Sequence, residues 1–145
     1  MANQSPFGIH QDQKVTFLIE GANFYAAARN AGIKVDYKKL LAHFNDHSNF
    51  VRASYYTGVP DDTEYASIKP LLDFLEYNGY NLVTKPLKEH VDSMGRRKVK
   101  GNLDVEIAVD MMNAAKFADH IILFSGDSDF LPVVRDVQRQ GVRVT

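Results

Sequence analysis

The run VTFLI at residues 15–19 is apolar and β-branched, without the alternation of a strand that has one face in water. A strand of that kind is buried on both faces, as in the middle of a parallel sheet covered by helices. The residues after it fit such a sheet. NFYAAARNAG is alanine-rich and stops at Gly32, and Asp36 is an N-cap candidate ahead of Leu40, Leu41 and Phe44. FVRASYYTG from Phe50 reads as a second strand. Asp61, Asp62 and Thr63 offer caps for a helix to about Asn78, kinked or split at Pro70 and closed by Gly79, and the short strand NLVTK comes next. Residues 86–101 mix Pro, Gly and charge and predict a loop or hairpin. Leu103, Ile107, Met111 and Ala114 then recur at spacings of four, four and three, one stripe down a helix ending near Phe117. HIILFS, the helix FLPVVRDVQRQ stopped by Gly141, and the strand VRVT complete the chain. Strands alternating with helices in this way predict an α/β fold: a single three-layer domain with a central, mostly parallel sheet, helices on both faces and right-handed crossovers.

The 145 residues suit one such domain, expected over 15–145, with the polar segment 1–14 as a flexible N-terminal arm. That arm lacks the apolar core of a secretory signal, and no apolar run reaches the roughly 20 residues of a membrane span. Cysteine is absent, which excludes disulfides, zinc–thiolate sites and thiol catalysis, and the expected location is the cytoplasm. The formal net charge of -1 argues against coating nucleic acid by bulk charge but permits a local basic patch. Lys85, Lys88, Arg96, Arg97, Lys98 and Lys100 form one, opposed only by Glu89 and Asp92. The chain stops on a strand at Thr145, which predicts a C-terminal continuation or a partner, a second copy included, over that edge.

In open α/β sheets ligands gather outside the carboxyl ends of the strands, where strand order reverses. Two strands here end in acid: one delivers Glu20, Gly21, Ala22 and Asn23, the other Ser125, Gly126, Asp127 and Asp129. If those strands are neighbours, their carboxylates and Asn23 converge. Asp104 starts a helix, with Asn102 as its cap, and helix starts share that edge. Asp110 lies about 240° further round the same helix, points elsewhere, and is kept as a supporting residue. Any one of these acids alone is more often a cap than a metal ligand. Together, with no cysteine and no paired histidines, they are hard oxygen ligands suited to magnesium or manganese, and the chemistry implied is phosphodiester hydrolysis. His43 and His47 are spaced i,i+4 but lack the H-E-x-x-H glutamate and read as surface; Ser125 and Ser128 lie in no G-x-S-x-G elbow. Tyr25, Tyr55 and Tyr56 are either base-stacking residues or core amphipaths.

The blocks IEGANFY, KGNLDVEIAVD and ILFSGDSDFLPVV, with GVRV after them, resemble the NYN domain and, within it, the LabA-like branch of the PIN-like nuclease superfamily, over about residues 14–145. The resemblance implies a PIN-like fold and a metal-dependent ribonuclease site. Carried onto this chain, its acids are Glu20, Asp104, Asp127 and Asp129, which serve as catalytic residues and ligands to magnesium or manganese. Asn23 and Ser125 are polar helpers. Single-stranded or structured RNA is the expected partner, held by Lys100, Arg96, Arg97 and Lys98. The chain departs from the family in having E-G-A-N where D-G-x-N is usual, so the longer carboxylate would have to fold back or shift the ion. A non-catalytic RNA- or nucleotide-binding regulatory module that retains the acidic site is the alternative. A D-x-D phosphatase fits less well, because its aspartates come after the first strand and Asp127-Ser128-Asp129 comes after the penultimate one.

Overall fold

The computed structural model describes residues 5–59, 62–100 and 102–145, giving the backbone only for 62–66, 88–90 and 97–100. Along the chain run β1 (Lys14–Glu20), α1 (Gly21–Asn30), α2 (Tyr37–His47), β2 (Asn49–Val59), α3 (Asp62–Tyr77), β3 (Asn81–Pro86), β4 (Lys88–Val91), β5 (Arg97–Lys100), α4 (Asp104–Ala114), β6 (His120–Phe124), a single 3-10 turn (Ser128–Phe130), α5 (Leu131–Arg139) and β7 (Arg143–Val144). Five strands form one parallel sheet in the order β3-β2-β1-β6-β7. The predicted hairpin is β4 and β5, paired antiparallel with Lys88 opposite Lys100.

The two-residue period of a strand sorts β1 between two cores. Val15, Phe17 and Ile19 face α2 and α3, where Phe17 meets Phe44 at a ring separation of 4.6 Å and Leu72 and Leu75 close the layer. Leu18 faces the other way, onto the stripe Leu103, Ile107, Met111 and Ala114 of α4 and onto Val137 of α5. This is the three-layer α/β arrangement that the sequence predicts. Asp36 caps α2 by accepting the Lys39 N–H at 3.0 Å, as expected. Pro70 does not split α3: the helix survives one missing hydrogen bond because Leu72 and Leu75, beyond it, are buried. No helix among the described residues is long and apolar enough to cross a membrane.

The N-terminal segment departs from expectation. Residues 1–4 lie outside the described residues, but 5–13 are no loose arm. Phe7 rests on Phe44 and Phe124, with ring separations of 5.1 and 5.9 Å, and Ile9 is buried in the same core. The Ser5 hydroxyl lies 2.7 Å from His43 Nε2, and Arg143 donates to the Gly8 carbonyl at 3.1 Å. Two apolar side chains in an otherwise polar stretch suffice to seal the end of the core. Ser5 and Phe7 pack on His43, and the His43 and His47 rings, both partly buried, stack at 4.2 Å instead of sitting free at the surface.

Candidate metal centre at the carboxyl edge of the sheet

β1 and β6 lie side by side and parallel, with Ile19 beside Phe124. From β1 the chain builds outward through β2 and β3, then returns to β1's other side with β6 and β7, so strand order reverses between β1 and β6. That is where the sheet-edge rule places a ligand crevice. Glu20 ends β1 at that crevice, and α1 begins at the next residue. Gly21 makes so abrupt a start possible, since a Cβ there would stand 2.7 Å from the ring of buried Tyr55. Gly21→Ala is therefore expected to cost about 2 kcal/mol through overpacking, read as a lowered urea midpoint with unchanged slope. A midpoint equal to that of the parent would show that Tyr55 yields freely.

On the other side of the crevice, Ser125 and Gly126 carry the chain from β6 into the 3-10 turn. Ser125 joins the two strand ends: its hydroxyl donates to Glu20 Oε2 at 3.2 Å and accepts the Asp127 N–H at 3.1 Å. Asn23, on the first turn of α1, accepts the Gly126 N–H at 2.9 Å. Asp127 caps the 3-10 turn, accepting the Asp129 N–H at 2.9 Å. Asp104 enters from the first turn of α4. One carboxylate oxygen from each of Glu20, Asp104 and Asp127 lies within 4.8 Å of the others, and all three residues are half-buried. The Glu20 carboxylate thus reaches both the cluster and Ser125.

Three like charges this close disfavour one another. The Glu20 carboxyl is pushed up from its ordinary value, first by burial and then by Asp104 and Asp127, with the Ser125 hydrogen bond opposing. Asp104 is also pushed up, by burial, then Asp127, Asp129 and Glu106. Among the described residues the ion pairs are Lys69–Asp73 and Lys85–Glu106, so no described cation balances the trio. A compact set of hard oxygen donors with uncompensated negative charge fits a divalent cation of the magnesium or manganese type.

The other predicted residues separate. Asp129 is exposed and stands outside the trio, although it lies near enough to raise Asp104. Asp110 accepts the buried Tyr56 hydroxyl at 2.6 Å, on the side of α4 that its rotation requires. Asn102 does not cap α4: it is exposed, and the N-cap position is Leu103, which makes no side-chain cap bond. Arg96 is exposed at the hairpin, its N–H donating to Asp92 Oδ1 at 2.8 Å; the side chains of Arg97, Lys98 and Lys100 lie outside the described residues. Lys85 is engaged by Glu106 at 3.1 Å. The sequence does not single out Glu106, although an acid in the first turn of a helix is a recognisable signal.

The chain is similar to known proteins in both sequence and fold. The chain is 33% identical over 136 residues to the low amplitude and bright protein LabA of Synechococcus elongatus, a match covering 91% of this chain and 72% of that protein. A crystal structure of a Vibrio parahaemolyticus protein of unknown function superimposes with a TM-score of 0.75 at 26% identity, covering 97% of this chain and 82% of the other. The family model of the NYN domain matches residues 14–145. With the fold, the acidic crevice and these likenesses in agreement, the chain belongs to the NYN domain family.

Proposed function

We propose that this chain is a magnesium- or manganese-dependent endoribonuclease of the PIN-like superfamily, hydrolysing RNA phosphodiester bonds in the cytoplasm at the crevice between β1 and β6. One observation carries the reading: carboxylates from three separate elements are held within 4.8 Å of one another, with no described cation beside them. Ordinary capping needs no such convergence, and a bound divalent ion offsets the repulsion it creates.

Glu20, Asp104 and Asp127 would hold the ion. When bound, it supplies charge neutralisation at the phosphodiester and a more acidic bound water. The chain's own residues supply position. Ser125 fixes the Glu20 carboxylate, Asn23 fixes the loop carrying Asp127, and Asp129, whose carboxylate accepts no hydrogen bond among the described residues, takes the proton of the attacking water at the rim. Arg96, Arg97, Lys98 and Lys100 on the hairpin contact phosphates away from the scissile bond.

The test is cleavage of labelled single-stranded RNA with manganese, by this chain and by Glu20→Asp. The parent should cleave, and Glu20→Asp should lose about 100-fold, because the shorter side chain withdraws about 1 Å from the cluster. Silence from the parent with activity in Glu20→Asp would favour the second reading, a regulatory RNA- or nucleotide-binding module in which glutamate has disabled the site. Ser125→Ala should lower kcat about 10-fold with KM nearly unchanged, since it frees Glu20 without touching RNA. An unaltered kcat would show that Glu20 needs no such support.

A further inference from the structure

The fold separates the three tyrosines: Tyr55 and Tyr56 are buried, whereas Tyr25 is 58% exposed. Beside Tyr25 a cleft of about 310 Å³ opens between α1, the 31–36 connection and α3, lined among others by Arg29, Ile33, Lys34, Tyr37 and Leu71. Its outer wall is set by the way α1 ends. The Ile33 N–H bonds the Ala28 carbonyl at 2.8 Å and the Gly32 N–H bonds the Arg29 carbonyl at 3.1 Å, with Gly32 at a φ of +67°. These are the paired bonds of a Schellman turn, which ordinarily tucks the residue after glycine against the helix. Here Ile33 is instead 61% exposed at the cleft. Arg29 and Lys34 flank it, both exposed and neither in an ion pair among the described residues.

An exposed aromatic ring, a rigidly presented aliphatic side chain and two unpaired cations around one concavity are complementary to a planar apolar group carrying a phosphate. Helix α1 links the cleft to the acidic crevice, starting at the crevice and running toward the cleft. That helix begins just after Glu20, anchors the crevice loop through Asn23, and places Tyr25 five residues beyond Glu20, about 7.5 Å along its axis. We infer that the cleft receives an unpaired nucleotide of the strand presented to the acidic crevice, its base against Tyr25 and Ile33 and its phosphate between Arg29 and Lys34. The inference rests on the ribonuclease reading for the identity of the polymer. It makes single-stranded RNA the substrate class, because a base paired within a duplex cannot enter.

Binding can be separated from cleavage in the Asp127→Asn protein without divalent cations, by anisotropy of a labelled ten-nucleotide single strand and of the matching duplex. Adding Tyr25→Ala should weaken single-strand binding about 10-fold. Arg29→Ala with Lys34→Ala should weaken it similarly and flatten its salt dependence. Duplex affinity and thermal midpoint should stay put, since these three side chains are exposed. Unchanged single-strand affinity in both variants overturns the cleft, and if the Asp127-intact chain still cleaves RNA, the nuclease reading survives that failure. Loss of binding in the variants, with no cleavage by the intact chain, upholds the cleft and sinks the nuclease. Displacement of the RNA by a polyglutamate peptide at equal concentration would overturn the assignment in favour of an acidic protein partner.

Discussion

Asp127→Asn should abolish metal-dependent RNA cleavage, lowering kcat/KM at least 100-fold, while leaving the protein folded and, without divalent ions, slightly more stable. The change is nearly isosteric, and the Asn carbonyl oxygen can still accept the Asp129 N–H that Asp127 Oδ1 now accepts at 2.9 Å. What disappears is one of three mutually repelling charges. Glu20 and Asp104, both pushed up partly by Asp127, should relax toward their ordinary values, with a gain of about 1 kcal/mol, the usual sign when an active site is neutralised. Manganese at 100 times its dissociation constant should stabilise the parent by about 2.7 kcal/mol, and the variant far less at the same concentration. Unchanged cleavage in Asp127→Asn would sink the site assignment. Lost cleavage accompanied by a large fall in the thermal midpoint would mean that Asp127 is a cap and little more.

His120 should make the fold acid-labile well above the pH at which carboxylates normally titrate. It is fully buried at the start of β6, with Nε2 2.8 Å from the Thr145 hydroxyl and Nδ1 without a partner among the described residues. Burial, then Arg143 and His10, hold its pKa down to about 4 from the ordinary 6.5. The native state therefore keeps His120 neutral while the unfolded chain takes up a proton. Stability present above pH 6.5 is lost as pH falls toward 4, by about 3 kcal/mol in all. The crevice acts with the opposite sign: Glu20 and Asp104 have raised pKa values, so the repulsion they impose at neutral pH is relieved as pH falls through those values. Comparing the parent with His120→Leu cancels the crevice contribution. Urea midpoints should be similar at pH 7 and diverge in the variant's favour by pH 4. Parallel curves would show that His120 accepts its proton in the folded state without penalty.

Much of this architecture is legible in the residues. VTFLI announces a strand buried on both faces, and the stripe Leu103, Ile107, Met111, Ala114 announces the buried face of α4, because periodicity is a local property that survives without the rest of the chain. The convergence of Glu20 with Asp127 is legible as well, once two acid-ended strands are supposed neighbours at a switch point. Other features carry no local signal. Phe7 and Ile9 are isolated apolar residues in a polar stretch, and only the open end of the assembled core turns them from an arm into a seal. Asp127 and Asp129 look equivalent in S-G-D-S-D-F, yet Asp127, which caps the 3-10 turn, has its carboxylate in the cluster, and Asp129, inside the turn, is left at its rim. Tyr25, Tyr55 and Tyr56 are likewise interchangeable on paper. The sequence by itself determined the layers, the parallel sheet and the edge where acids would gather, since these come from patterns of two and 3.6 residues and from the rule that ligands sit where strand order reverses. Only the tertiary structure decided which carboxylates come within 4.8 Å, which tyrosine stays in solvent and which histidine is shut away from it. Those outcomes depend on distances between elements far apart in the chain, and no local pattern encodes such distances.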